Sequence, residues 1–406
     1  MNMDQLVRDA LHEQAAEEAT STPPDFAGRV LAVRRRRRTR TIAGAAVAMV
    51  VAIAVGVAVP MLDAGTDEPR LASEMNKSDI IAHPDQTPPR DLIAAGNTAL
   101  AAYFTRSTVK ETDDRAVSTR TYRLLDQETG KYVKSTKWSF LDVAPGMRTA
   151  AVLEKDLPAK RIGLLDLLTG KVVRWIPVDR GVAGVEFSPD GGKLVATTYS
   201  KNPDLLYKQD YDLDGDGKKN DWDRQFGESD RTGFYVIDVD SGKGSWSEVT
   251  YSGDDLNVRQ DFSFSHDGKL VYSGLTSEPH QQYYDLEGKE VPTPSNEKYL
   301  HWFVEAGLSP DGKLAAGDFA GGAKTTASEI NDPYTGKRLH KVHGQQLLAW
   351  VDNKRLIAWD ITPGSNEFHN RLVLITIGSD KVVPLSGFRK GNDGAAGRWD
   401  PVFAER

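Results

Sequence analysis

From residue 92 onward, short apolar runs alternate with tight polar punctuation. Phe187-Ser188-Pro189-Asp190-Gly191-Gly192-Lys193-Leu194-Val195-Ala196 returns as Phe264-Ser265-His266-Asp267-Gly268-Lys269-Leu270-Val271. It appears again as Leu308-Ser309-Pro310-Asp311-Gly312-Lys313-Leu314-Ala315-Ala316. Each copy places a four-residue turn between two apolar stretches. Pro presets φ at the second turn position, Asp bonds its own backbone, and Gly takes the positive φ that a Cβ forbids. Such a phrase predicts a β-hairpin. Looser echoes occur at residues 144–148 and 351–356.

A second mark falls between the first ones, an Asp followed shortly by Gly-Lys, at Gly130, Gly170, Gly242, Gly288 and Gly336, with a degenerate copy at Gly378. Two turns per unit predict four short strands per unit, the anatomy of a propeller blade, and the recurrence predicts a repeat architecture. Six second marks predict six blades, with seven as the alternative count. The competing arrangement is an irregular set of hairpins in a sandwich. One interval, from Gly170 to Gly242, is longer than its neighbours and predicts an insertion at about residues 200–232. The first two units are expected to use strands at 99–104, 122–125, 132–136, 138–143, 149–153, 162–165 and 172–177. Residues 398–404 are expected to pair with the first unit and close the ring, which removes an exposed sheet edge.

The Ser-Pro-Asp-Gly-Lys turn resembles the WD40-like repeat of TolB-type β-propellers, over residues 92–406. The resemblance implies the fold; propellers host many unrelated activities. No Trp-Asp pair ends a blade in the WD40 manner, and Trp399-Asp400 is the near match. The fold class expected is therefore all-β, a six- or seven-bladed β-propeller of four-stranded blades, preceded by one transmembrane helix and a short cytoplasmic helical segment.

That N-terminal part has its own logic. Residues 1–28 carry six acidic side chains against Arg8, and Leu6, Val7, Ala10, Leu11 and Ala15 share one helical face. Arg34 to Arg38 and Arg40 then abut residues 42–62, an uncharged stretch rich in Ala, Val and Ile. At 1.5 Å per residue this stretch spans about 31 Å, the thickness of a hydrocarbon core. A cleavable signal peptide has an apolar region of about 7–15 residues and a small-x-small site. The longer stretch here, with no clean site after Pro60, predicts a retained anchor. The positive-inside rule puts residues 1–40 in the cytoplasm, the anchor at 41–62, a linker at 63–91 with one short helix near 71–81, and residues 92–406 outside. The arginine block then serves lipid headgroups, not nucleic acid.

One stretch spells out chemistry. With Asp212 as position 1, Asp214 falls at 3, Asp216 at 5, Gly217 at 6, Lys218 at 7 and Asp223 at 12, the spacing of an EF-hand-type calcium loop. Three carboxylates at alternate positions converge on one hard cation, Gly217 permits the sharp turn, and the Lys218 carbonyl supplies a further oxygen. Asp at the last position resembles the dockerin-type variant. The residues expected to hold Ca²⁺ are thus Asp212, Asp214, Asp216, Lys218 and Asp223, in a structural role. The competing reading is a solvated acidic turn.

Catalytic signatures are missing from the sequence. The chain has no cysteine, which excludes disulfides and thiol catalysis. None of the eight histidines forms His-Glu-x-x-His, and no Gly-x-Ser-x-Gly elbow occurs. Trp175, Trp302, Trp350 and Trp359 are expected to pack between strands, and Tyr207, Tyr211, Tyr283 and Tyr284 are rim candidates. The formal charge of −7 argues against nucleic acid and for a protein or peptide partner in the envelope or outside it. A non-enzymatic interaction module is the first expectation. The alternative is a signalling protein whose residues 1–33 meet a cytoplasmic regulator, since the anchor resembles those of actinobacterial anti-sigma factors, without their zinc-binding His and Cys. A hydrolase built from blade loops is a third.

Overall fold

A computed structural model describes residues 80–212, 220–224, 230–249, 259–275, 278–322, 326–361, 367–391 and 397–406. All of them fall in one unit, Ala64–Arg406. These residues form strands and turns, with no helix among them. The anchor expected at 41–62 lies outside the described residues, among which no helix is long and apolar enough to cross a membrane.

The chain opens with β1 (Ile80–Ile81) and β2 (Ala94–Ala95), so the end of the helix expected near 71–81 is instead a strand, paired with Ala94 and Ala95. There follow β3 (Thr98–Lys110), β4 (Arg115–Asp126) and β5 (Lys131–Ser135), then β6 (Trp138–Val143), β7 (Thr149–Glu154), β8 (Ala159–Asp166) and β9 (Lys171–Phe187). Next come β10 (Lys193–Tyr199), β11 (Leu205–Lys208), β12 (Trp222–Asp223), β13 (Arg231–Asp238) and β14 (Gly244–Glu248). β15 (Ser263–Phe264), β16 (Val271–Gly274), β17 (Gln281–Tyr284) and β18 (Glu290–Val291) form one sheet; β19 (Ala315–Phe319), β20 (Ala327–Asn331) and β21 (Arg338–His343) form another. β22 (Gln346–Trp350), β23 (Arg355–Ile361), β24 (Asn370–Thr376) and β25 (Val382–Pro384) form the last antiparallel meander, and β26 (Trp399–Glu405) returns to pair with β3.

The repeated phrases become the same turn three times. Gly191, Gly268 and Gly312 have φ near +70° and donate their N–H to the carbonyls of Ser188, Ser265 and Ser309. In each copy the Ser hydroxyl donates to the Asp carboxylate and accepts the N–H beyond the turn, Lys193, Leu270 or Leu314. These turns also touch one another in chain order. A β-carbon on Gly191 would sit 3.4 Å from Pro145, one on Gly268 3.3 Å from Pro189, and one on Gly312 3.7 Å from His266. Asp311 N then donates to Asn353 Oδ1.

Packing follows the same cyclic order. Middle strands are buried on both faces, as in β10, where Leu194 to Tyr199 are all buried, while an outer strand such as β5 is mostly exposed. A strand covered on both faces reads as a continuous apolar run, which accounts for the unalternating sequence there. Tyr122 and Leu125 of β4 pack with Trp138, Leu141 and Val152 of the next meander, and Leu153 and Ile162 with Leu194 and Ile237 beyond it. Val195 and Phe234 pack with Phe262 and Val271. Finally Leu348, Ile357 and Leu372 pack with Ile93, Leu100 and Tyr103 of the first sheet, around Trp399. Antiparallel meanders in consecutive contact, the last resting on the first, are the topology of a β-propeller.

Two departures from expectation matter for the site. β9 does not stop at Pro177 but continues to Phe187, its register jumping from Arg161–Pro177 to Ala159–Val182, so one strand serves two meanders. The hairpin β3–β4 is much longer than its sheet needs, and its far end is extended by the insertion: β11 pairs with Arg115 to Val117 of β4, and β12 with β11.

Candidate binding site at the leading strands

The first strand of each meander can be called its leading strand. β26, β6, the second half of β9 and β15 pack on one another in that succession. Carboxylates tie them together. Asp142 of β6 accepts the Phe187 N–H of β9 at 2.8 Å; Glu186 of β9 accepts the Phe264 N–H at 3.1 Å and the Ser263 hydroxyl at 2.7 Å, both on β15. Burial pushes Asp142 up to about 6. Burial first, and the Asp142 carboxylate second, push Glu186 up to about 8. Low local polarity disfavours the charged form, and a neighbouring like charge adds to it.

Beside this acidic pair lies a cationic cluster centred on Asp204. Arg120 of β4 forks onto it, Nη1 to Oδ2 at 2.6 Å and Nη2 to Oδ1 at 3.0 Å, and Arg259 Nη1 reaches Oδ2 at 2.7 Å. Arg224 Nη2 stands 4.0 Å from Oδ1. Arg259 also donates from Nε to Asp261 Oδ2 at 2.6 Å, and Asp261 Oδ1 accepts the Tyr199 hydroxyl at 2.9 Å. The Phe140 ring faces both guanidiniums, 4.4 Å from Arg259 and 5.4 Å from Arg120. Burial works to raise the Asp204 pKa, but the charges of Arg259, Arg120 and Arg224 outweigh it and hold the carboxyl well below its usual range. Gly184 is needed where β9 passes this point, since a β-carbon there would lie 2.3 Å from the Asp261 carboxyl.

Of the residues expected to hold calcium, Asp214, Asp216 and Lys218 lie outside the described residues. Asp212 precedes them, and Asp223 sits in β12 opposite Tyr207, its Oδ1 accepting the Arg224 N–H at 2.9 Å. Among the described residues no group of three or more carboxylate or imidazole side chains is placed to hold a metal. Trp350 and Trp359 are buried, as packing residues should be. Tyr283 is buried rather than on a rim, its hydroxyl shared between Gln281 and Glu297. A hollow of about 280 Å³ lined by Asp85, Gln86, Arg90, Tyr103 and Arg123 shares no residue with the Asp204 cluster.

The sequence reading missed the cluster. Glu186 and Asp142 did leave a signal, a lone acid inside an otherwise apolar strand just before a turn. Arg120 and Asp204 left none, being 84 residues apart.

No protein-family model matches the chain, and no curated protein matches it significantly. Among solved structures it is similar to a hydrazine synthase of Kuenenia stuttgartiensis, at 16% identity over 63% of this chain and 68% of that one, TM-score 0.34. It is similar to TolB of Acinetobacter baumannii at 16% identity over 70% and 67%, TM-score 0.36. An acylaminoacyl peptidase of Pyrococcus horikoshii matches at 15% identity over 73% of this chain and 45% of its own, TM-score 0.39. Likenesses of this size add nothing to the strand topology already described.

Proposed function

We propose that the chain is a six-bladed β-propeller carried on a single-pass anchor outside the cytoplasmic membrane, where it recognises a protein or peptide without catalysing a reaction. Six blades are supported by counting meanders: β26-β3-β4-β5, β6-β7-β8-β9, β9-β10-β13-β14, β15-β16-β17-β18, β22-β23-β24-β25, and β19-β20-β21 led by the bridge between Leu308 and Ala315. The anchor is supported by the uncharged stretch 42–62 beside the arginine block. A calcium ion at Asp212, Asp214, Asp216, Lys218 and Asp223 orders the insertion.

The observation that carries recognition is the convergence of Arg120, Asp204, Arg259 and Asp261, from separate stretches of chain, beside the leading strands. Side chains delivered from loops and strand ends onto a rigid scaffold are how such folds bind. The mixed charge suits an acidic or zwitterionic peptide better than an apolar ligand.

The test is a paired affinity capture from detergent-solubilised membranes, with the full chain and with a form lacking residues 1–33. An envelope protein recovered equally with both is expected. A soluble regulator recovered only with the full chain would replace this reading with the signalling one.

A further inference from the structure

Asp204 is held as a ligand is held. Its carboxylate takes the planar two-bond fork of Arg120 and a third bond from Arg259, the geometry by which guanidinium recognises carboxylate. More donors are assembled than Asp204 uses: Arg259 Nη2 and Arg224 Nε are buried without a hydrogen-bond partner. Arg259 is itself only 8% exposed. Buried donors of this kind are costly to leave unmade, and they mark a place where a further acceptor fits. The ownership of the groups is also telling. Arg120 belongs to β4 and Arg259 leads into β15, whereas Asp204 belongs to the insertion. The two arginines that bond Asp204 are scaffold, whereas the carboxylate, and Arg224 beside it, are added chain.

We propose that Arg120 and Arg259, with Arg224 at their side, form a carboxylate-binding site that Asp204 fills in cis, and that an acidic peptide side chain takes the place of Asp204 when its segment is displaced. The inference rests on the peptide-recognition reading and names its ligand class. Asp204 then acts as a competitor tethered at high local concentration, and a site free one time in ten shows an affinity about tenfold below its intrinsic one.

The segment can be locked. Val117 of β4 and Leu205 of β11 are register partners, and the chain has no cysteine of its own. A Val117→Cys, Leu205→Cys double variant gives a single disulfide that pins the residue next to Asp204. Binding of fluorescent octaglutamate and octaglutamine would be titrated against the full chain, Asp204→Asn, and the double variant oxidised and reduced. Octaglutamate is expected to bind Asp204→Asn about tenfold tighter than the unaltered chain. It should bind the oxidised double variant at least about tenfold more weakly than the same protein reduced. Octaglutamine should not bind. Equal binding by the oxidised and reduced forms overturns the proposal, whether or not Asp204→Asn folds; so does a folded Asp204→Asn no tighter than the unaltered chain. Failure here with an envelope partner still captured would leave recognition standing, with its ligand elsewhere.

Discussion

Arg120 donates two hydrogen bonds to Asp204, at 2.6 and 3.0 Å, and the two side chains are 4% and 2% exposed. The pair joins the first sheet to the insertion. Removing Arg120 from so enclosed a pair takes two charge-assisted bonds from Asp204 and leaves Arg259, at 2.7 Å, as its one hydrogen-bonded guanidinium.

Because Arg259 still neutralises Asp204, Arg120→Ala is expected to cost about 2–3 kcal/mol of stability. Urea denaturation at neutral pH and constant salt measures it. A loss below about 1 kcal/mol would mean that Asp204 behaves as an exposed surface partner does.

The leading-strand carboxylates set a pH dependence. The Glu186 pKa is raised from 4.5 to about 8, so between those values the folded chain binds more protons than the unfolded one. Its contribution to stability therefore falls as pH rises through that window. Asp142 adds the same sign between 3.8 and about 6. The charged and polar groups around Glu186 are Asp142, Asp261, Ser263 and Tyr272. Melting temperature should decline from pH 6 to 8, and Glu186→Gln should flatten that decline. An equally steep decline in the variant would assign it to other groups.

Trp399 is 1% exposed and meets Tyr103 and Trp359 edge-on, with ring centres 5.6 and 5.3 Å away, while its Nε1 donates to Thr87 Oγ1. Trp399→Ala should cost about 3–5 kcal/mol, from lost transfer energy and the cavity left behind. Chemical denaturation with the slope compared across variants would detect it. An unchanged midpoint would show that the Trp399 contacts do not stabilise the closing strand.

Calcium at ten times its Kd should stabilise a loop that binds only when ordered by about 1.4 kcal/mol. The melting temperature of the unaltered chain is expected to rise with calcium, and that of the Asp214→Ala, Asp216→Ala double variant to stay put. A double variant that still responds places the ion elsewhere.

Local chemistry was legible and non-local chemistry was not. The turns at Gly191, Gly268 and Gly312 could be read because Ser, Asp and Gly fix such a turn within six residues. Residues 138–143 became β6 without change because Trp138, Phe140 and Leu141 supply a strand pattern bounded by turns. The return of residues 398–404 was inferred from closure alone, and Trp399–Glu405 does pair with β3. By contrast, Pro177 looked like a strand end, yet the strand passes through it on a shifted register. The long β3–β4 hairpin and its pairing with β11 depend on a partner some ninety residues away, which no window of local pattern covers. Arg259 and Asp261 match no motif along the chain; only the fold brings them to Asp204.

The Nε1 of Trp399 bonds to Thr87 across 312 residues of chain. While the ribosome makes everything between them, the apolar flank of β3, with Ala99, Leu100 and Ala102, has no neighbour on that side. β3, β4 and β5 pair locally, but completion of the first sheet waits until synthesis has passed residue 405, and long-range pairing of this kind is slow. The nascent chain carries an unpaired edge for that whole interval, open to pairing with another copy. Because these residues are delivered last, a chain stopped short of residue 399 keeps that edge open.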